Sequence, residues 1–155
     1  MLELTVRPNT PRGFTLLELM VTLAIAAILA SIAAPAFNGL IENQRVRSAA
    51  NDLMGSISLA RSEAVTRNAT VSVAQASGGW NNGWKVSVGG TDLRVEDALN
   101  GINLSAGLTS FSYNSSGRAT SAVSFTVAPD SGNADRTRCV AVSLNGKPTS
   151  NKGAC

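Results

Sequence analysis

The chain has 155 residues, enough for one modest core and too short for a multi-domain enzyme. Hydrophobic residues make up 44% and charged residues only 15%, so apolar surface has to be hidden or embedded in lipid. Histidine is absent, which removes the usual general base, the Ser-His and Cys-His nucleophile pairs and most catalytic zinc sites, while 13 Lys plus Arg against 10 Asp plus Glu permits contact with anionic polymers without requiring it.

The apolar residues are concentrated near the N-terminus. From Phe14 to Phe37 runs a stretch of 24 residues in which Glu18 is the only charge. About 20 helical residues at roughly 1.5 Å each cover the hydrocarbon of a bilayer, so this segment is long enough to span one. Arg7 and Arg12 precede it, and the positive-inside rule keeps that end cytoplasmic and exports the remainder of the chain. A secretory signal peptide shares these ingredients, including the small residues Ala30-Ser31-Ile32-Ala33-Ala34. Against it stand the length of the apolar run, the carboxylate near its start, and a helical pattern that continues past the small residues.

Beyond Pro35 the chain turns amphipathic. Val46, Ala50, Leu53, Ile57, Ala60 and Ala64 recur at alternating spacings of four and three, one apolar face of a helix. A single helix from about Phe14 to Thr66 is predicted, roughly 80 Å long. Pro35 and Gly39 predict a kink or local unwinding near the junction, unless Pro35 is an ordinary membrane-helix proline.

After Arg67 the pattern alternates instead. Thr70–Val73, Trp84–Val88, Leu108–Tyr113, Val123–Val127 and Val140–Leu144 place apolar side chains every second residue, as strands with one buried face do. Turn residues separate them: Gly78-Gly79, Asn81-Asn82-Gly83, Gly89-Gly90, Asn114 to Gly117 and Asn145-Gly146. The expected fold is α+β, a long N-terminal helix with its apolar half protruding and its amphipathic half packed on an antiparallel sheet. Trp80 and Trp84, flanking Asn-Asn-Gly, read as packing residues, with a ligand contact as the alternative. In an exported domain Cys139 and Cys155 are expected to form a disulfide closing a loop of about 16 residues, the alternative being free thiols or a metal pair.

At Arg12-Gly13-Phe14-Thr15-Leu16-Leu17-Glu18 the chain resembles the processing site and N-terminal helix of type IV pilins and type II secretion pseudopilins. Farther along, Leu59 to Arg67, Trp80 to Trp84, Gly117-Arg118 and Arg138-Cys139-Val140 followed by Asn145-Gly146 resemble the FimT/FimU minor pilins and the H pseudopilin. The resemblance implies a leader at 1–13, a transmembrane and filament-core helix at 14–37, and a globular pilin domain at 38–155 whose helix runs to about 67. It implies a prepilin peptidase cutting between Gly13 and Phe14 and methylating the new terminus, and Pro35 matches the family's helix-breaking proline. A carboxylate in hydrocarbon costs about 2.5–3.5 kcal/mol on insertion scales. Glu18 is therefore expected to pair with the Phe14 amine of an adjacent subunit, a register device for assembly; the alternative is a carboxylate near the interface that snorkels without a partner.

The function expected from this resemblance is a minor pilin of a type IV pilus, within a tip or priming complex, or an H-type pseudopilin. Its partners would be prepilin peptidase, major and other minor pilins, and inner-membrane assembly machinery. It would sit in the inner membrane with a periplasmic C-terminus, then in an extracellular pilus or a periplasmic pseudopilus. No enzyme activity, cofactor or metal is expected, because no spacing recommends a Ser-Lys pair. A second reading is DNA binding for natural transformation, through Arg118, Arg136, Arg138, Lys147 and Lys152 if they share one surface. FimT-like DNA-binding pilins carry Gly-Arg-x-Arg near the C-terminus where this chain has Gly146-Lys147-Pro148-Thr149, and scattered solvated charges are the alternative.

Overall fold

The computed structural model describes residues 13–155; the expected leader lies outside them apart from Gly13. The apolar and amphipathic patterns merge into one helix, α1 (Leu16–Arg67), within two residues of the expected bounds. Its backbone stays helical through Pro35 and Gly39, so the expected local unwinding is absent. A proline forfeits one main-chain hydrogen bond, a loss that a helix of 52 residues can bear without ending there.

The chain divides into two units, Met1–Asn38 and Gly39–Cys155. In the first, Phe14, Leu16, Leu17, Met20, Leu23, Ile28 and Ile32 are all exposed. Leu16–Ala33 has a mean hydropathy of 2.4, long and apolar enough to cross a membrane.

The second unit carries its own core. From α1 it takes Val46, Ala50, Leu53, Ile57, Ala60 and Ala64, the six residues of the predicted face, together with Ala49 and Ser56. Ser56 is the polar member, and its hydroxyl donates to the Asp52 carbonyl one turn back, which satisfies it without a partner outside the helix.

Eight strands come after the helix: β1 (Val71–Ala76), β2 (Gly79–Val88), β3 (Thr91–Glu96), β4 (Ile102–Ala106), β5 (Ser110–Tyr113), β6 (Val123–Pro129), β7 (Arg138–Val142) and β8 (Pro148–Lys152). A 3₁₀ turn at Ala134–Arg136 precedes β7. The strands form two antiparallel sheets of four, ordered β3-β2-β1-β5 and β4-β6-β7-β8, where the sequence suggested one.

The Asn81-Asn82-Gly83 segment accounts for that difference. It is not a turn but part of β2, where the register with β1 jumps from Gln75↔Trp84 to Ala76↔Gly79. Freed from β1, the segment reaches the second sheet. The Asn81 side-chain oxygen accepts from the Leu104 N–H in β4, and its carbonyl accepts from the Leu99 N–H. Gly83, at φ +99°, lies so close to the end of β3 that a Cβ would collide with the Glu96 carbonyl oxygen. Trp80 completes the join. Its indole N–H donates to the Leu108 carbonyl at 2.7 Å, and its ring meets Phe125 of β6 edge to face at 4.8 Å. With Trp84 also buried, both tryptophans are core residues, as the packing reading expected.

Candidate functional site

The N-terminal segment is built by local rules. Thr15 stands just before α1, and its hydroxyl accepts the Glu18 backbone N–H at 3.2 Å, the side-chain cap that an unsatisfied first turn needs. Thr15-x-x-Glu18 has the spacing of a capping box, and Glu18 puts its negative charge at the positive end of the helix dipole. Gly13 and Phe14, just upstream, are exposed, and among the described residues nothing lies within 4 Å of the space a Cβ on Gly13 would fill. Inside the apolar stretch the hydroxyls of Thr22 and Ser31 donate to the carbonyls of Leu19 and Ile28. Their polarity is absorbed by their own helix. The Glu18 carboxylate, by contrast, has no cation within salt-bridge distance among the described residues.

In the second unit Arg61 performs a structural task that periodicity did not disclose. It projects from α1 to donate from Nε to the Gly117 carbonyl at 3.0 Å and from a terminal nitrogen to the Asn145 carbonyl at 3.4 Å, so one guanidinium holds two separate turns. Tyr113 donates to the Gly146 carbonyl at 3.1 Å. Burial pushes the Tyr113 phenol up to about 12, the nearby Arg61 charge partly opposing the rise. Gly146 has φ +80°, and a Cβ there would collide with the Gly117 oxygen, so the turns touch only because this residue is glycine. The signal available in the sequence was a lone arginine between small residues on the flank of an apolar helix face.

The five cations of the DNA-binding reading do not form one surface. Arg136, Arg138 and Lys152 line a cleft of about 190 Å³ with Arg47 of α1, a residue the sequence did not single out. Arg118 and Lys147 lie instead on or beside the two turns held by Arg61, at the far end of the β7–β8 hairpin from the Arg138↔Lys152 pair. Arg136 is further committed to an ion pair with Glu42, whose carboxylate also accepts from Ser131.

Cys139 and Cys155 are joined by a disulfide that anchors the end of the chain to β7 beside the edge strand β8. The bridge is the outcome expected for an exported pair.

Two family models match the sequence: the type II transport protein GspH over residues 49–146 and the prokaryotic N-terminal methylation motif over residues 9–34. No curated protein matches. Among solved structures, the type IV minor pilin FimU of Pseudomonas aeruginosa is similar in two crystal forms. One has 20% identity, covering 72% of this chain and 92% of that one with a TM-score of 0.65; the other has 21% identity, covering 68% and 91% with a TM-score of 0.61. The minor pseudopilin EpsH of the Vibrio cholerae type 2 secretion system is similar at 15% identity, covering 70% of this chain and 97% of that one with a TM-score of 0.56. At these identities the solved structures establish the shared fold, a long helix with antiparallel sheets. Matched by the GspH model over more than half its length and headed by the methylation motif, the chain belongs to the GspH family of minor pilins and pseudopilins.

Proposed function

We propose that this protein is a minor pilin, cut between Gly13 and Phe14 by prepilin peptidase, methylated on Phe14, and incorporated at low copy into a type IV pilus within a tip or priming complex. The observation that carries this reading is a capped helix whose apolar span, Leu16–Ala33, is wholly exposed and begins immediately after an accessible Gly13-Phe14 bond. Residues 14–37 serve as membrane anchor and then as filament core. The leader stays cytoplasmic and the domain from residue 38 lies in the periplasm before assembly. Glu18 pairs with the Phe14 amine of a neighbouring subunit, so that two charges meet in hydrocarbon only at the correct axial register. Head-to-tail contacts of this kind generate an open helical filament. The protein works by assembly with other pilins and inner-membrane machinery and performs no catalysis of its own.

An H-type pseudopilin uses the same anchor, cut and sheets. Its readout differs: loss of the protein abolishes type II secretion and spares surface pili, whereas loss of a pilus subunit does the reverse. Mass spectrometry of protein from its native host is expected to show an N-methylated chain beginning at Phe14. An intact leader, or a terminus downstream of Pro35, rejects the reading.

A further inference from the structure

The cleft lined by Arg47, Arg136, Arg138 and Lys152 is not used by the assembly reading, and its charge is not balanced from within. The other cations that the fold brings near acids are paired: Arg67 with Glu63, Lys85 with Asp92 and Arg94 with Glu96. In the cleft only Arg136 has such a partner, Glu42. Arg47, Arg138 and Lys152 have no carboxylate within 4.0 Å among the described residues. Arg138 and Lys152 moreover stand directly opposite each other across β7 and β8, and like charges in that position repel. Asp135 is the one acid in the cleft wall, and Asn43 and Thr137 complete it with neutral groups.

Cations approaching from α1, from the 3₁₀ turn and from two strands surround a volume rather than a plane. A planar carboxylate is satisfied by a single guanidinium fork. A tetrahedral phosphate offers oxygens to several directions at once, and guanidinium forks bind it bidentately. The concavity of about 190 Å³ has room for such a group with part of its ester. We propose that this cleft is a binding site for a phosphate group, supplied either as free phosphate or a small phosphate ester, or as the headgroup of an anionic lipid. Arg138 keeps its orientation by donating from Nε to Ser150 Oγ at 3.2 Å, which leaves its terminal nitrogens for the ligand.

The test is calorimetric titration of the full mature chain in non-ionic detergent micelles with inorganic phosphate, at ionic strength held constant with chloride. One saturable site is expected. Affinity should fall at least tenfold in Arg138→Gln/Lys152→Gln and in the exposed helix variant Arg47→Gln, and stay unchanged in Arg118→Gln/Lys147→Gln. Micelles doped with phosphatidylglycerol identify the source: competition with phosphate at the cleft assigns a lipid headgroup, and its absence assigns a small phosphate. The proposal is overturned by the lack of saturable binding, by equal losses in the two double variants, or by succinate binding as tightly as phosphate. It is also overturned if a DNA duplex engages the cleft while inorganic phosphate does not, which makes the site one for a polymer.

Discussion

Tyr113 shows how one buried group ties stability to pH. Its neutral form is favoured in the fold, so the native state holds its proton up to about 12, whereas an unfolded tyrosine releases it near 10. The stabilisation is fully present below pH 10 and is lost as pH rises from there towards 12, a total of roughly 3 kcal/mol. Tyr113→Phe should flatten that alkaline loss and cost about 1 kcal/mol at neutral pH, because the Gly146 carbonyl forfeits its donor. Urea unfolding at pH 8 and pH 11 checks both; an equal alkaline loss in the variant would assign it to other groups. Arg61→Ala leaves the Gly117 and Asn145 carbonyls without their shared donor and should cost about 1–3 kcal/mol. Arg61→Lys should recover only part, since an ammonium lacks the fork that spans both turns.

Among the elements, most of those with a buried face were legible; β4 is the exception, because Ile102 and Leu104 are buried at alternate positions and yet its five residues were not picked out as a strand. The Val46 to Ala64 face of α1 and the strands β1, β6 and β7 repeat apolar residues at the period their geometry imposes. β3 was missed although Leu93 and Val95 alternate with Asp92, Arg94 and Glu96; it carries only two apolar residues, and on this edge strand Val95 is 61% exposed, so no buried face marks it. β8, with the sequence Pro-Thr-Ser-Asn-Lys, has no apolar period at all. It exists by pairing with β7 and by the disulfide just beyond it, and neither constraint is local. At the candidate sites the motif from Gly13 to Glu18 was legible because the methylation motif and the helix cap are both written in consecutive residues. The Arg47 cleft was not, since its cations come from opposite ends of the domain's sequence, a helix and the last two strands. Replacing Cys139 and Cys155 by Ser should cost on the order of 3 kcal/mol in the chain-entropy model. Hydrogen exchange should show β8 losing protection first while β1 and β2 keep theirs; uniform loss would mean that the bridge supports the whole core.

For the whole molecule the division of labour between the two units makes a separable prediction. Among the described residues, the core cluster of the second unit draws its members from Val46 onward. A mutation confined to the first unit should therefore alter assembly without altering the fold of the second. Glu18 is the sharpest place to ask, because the cost of a carboxylate in hydrocarbon, about 2.5–3.5 kcal/mol, falls to near nothing once the charge is removed. Glu18→Ala should insert into membranes at least as well as the parent chain, and its domain should melt at the same temperature in detergent. If Glu18 meets a neighbour's Phe14 amine, the variant nevertheless leaves that amine buried and unpaired in the filament, a loss of several kcal/mol that should reduce incorporation at least tenfold. Immunoblots of sheared filaments against membrane fractions give the ratio. Normal incorporation of a stably inserted Glu18→Ala chain would reduce the Glu18 carboxylate to a favourable charge in the first turn of α1, and the register of the assembly would have to come from the domain instead.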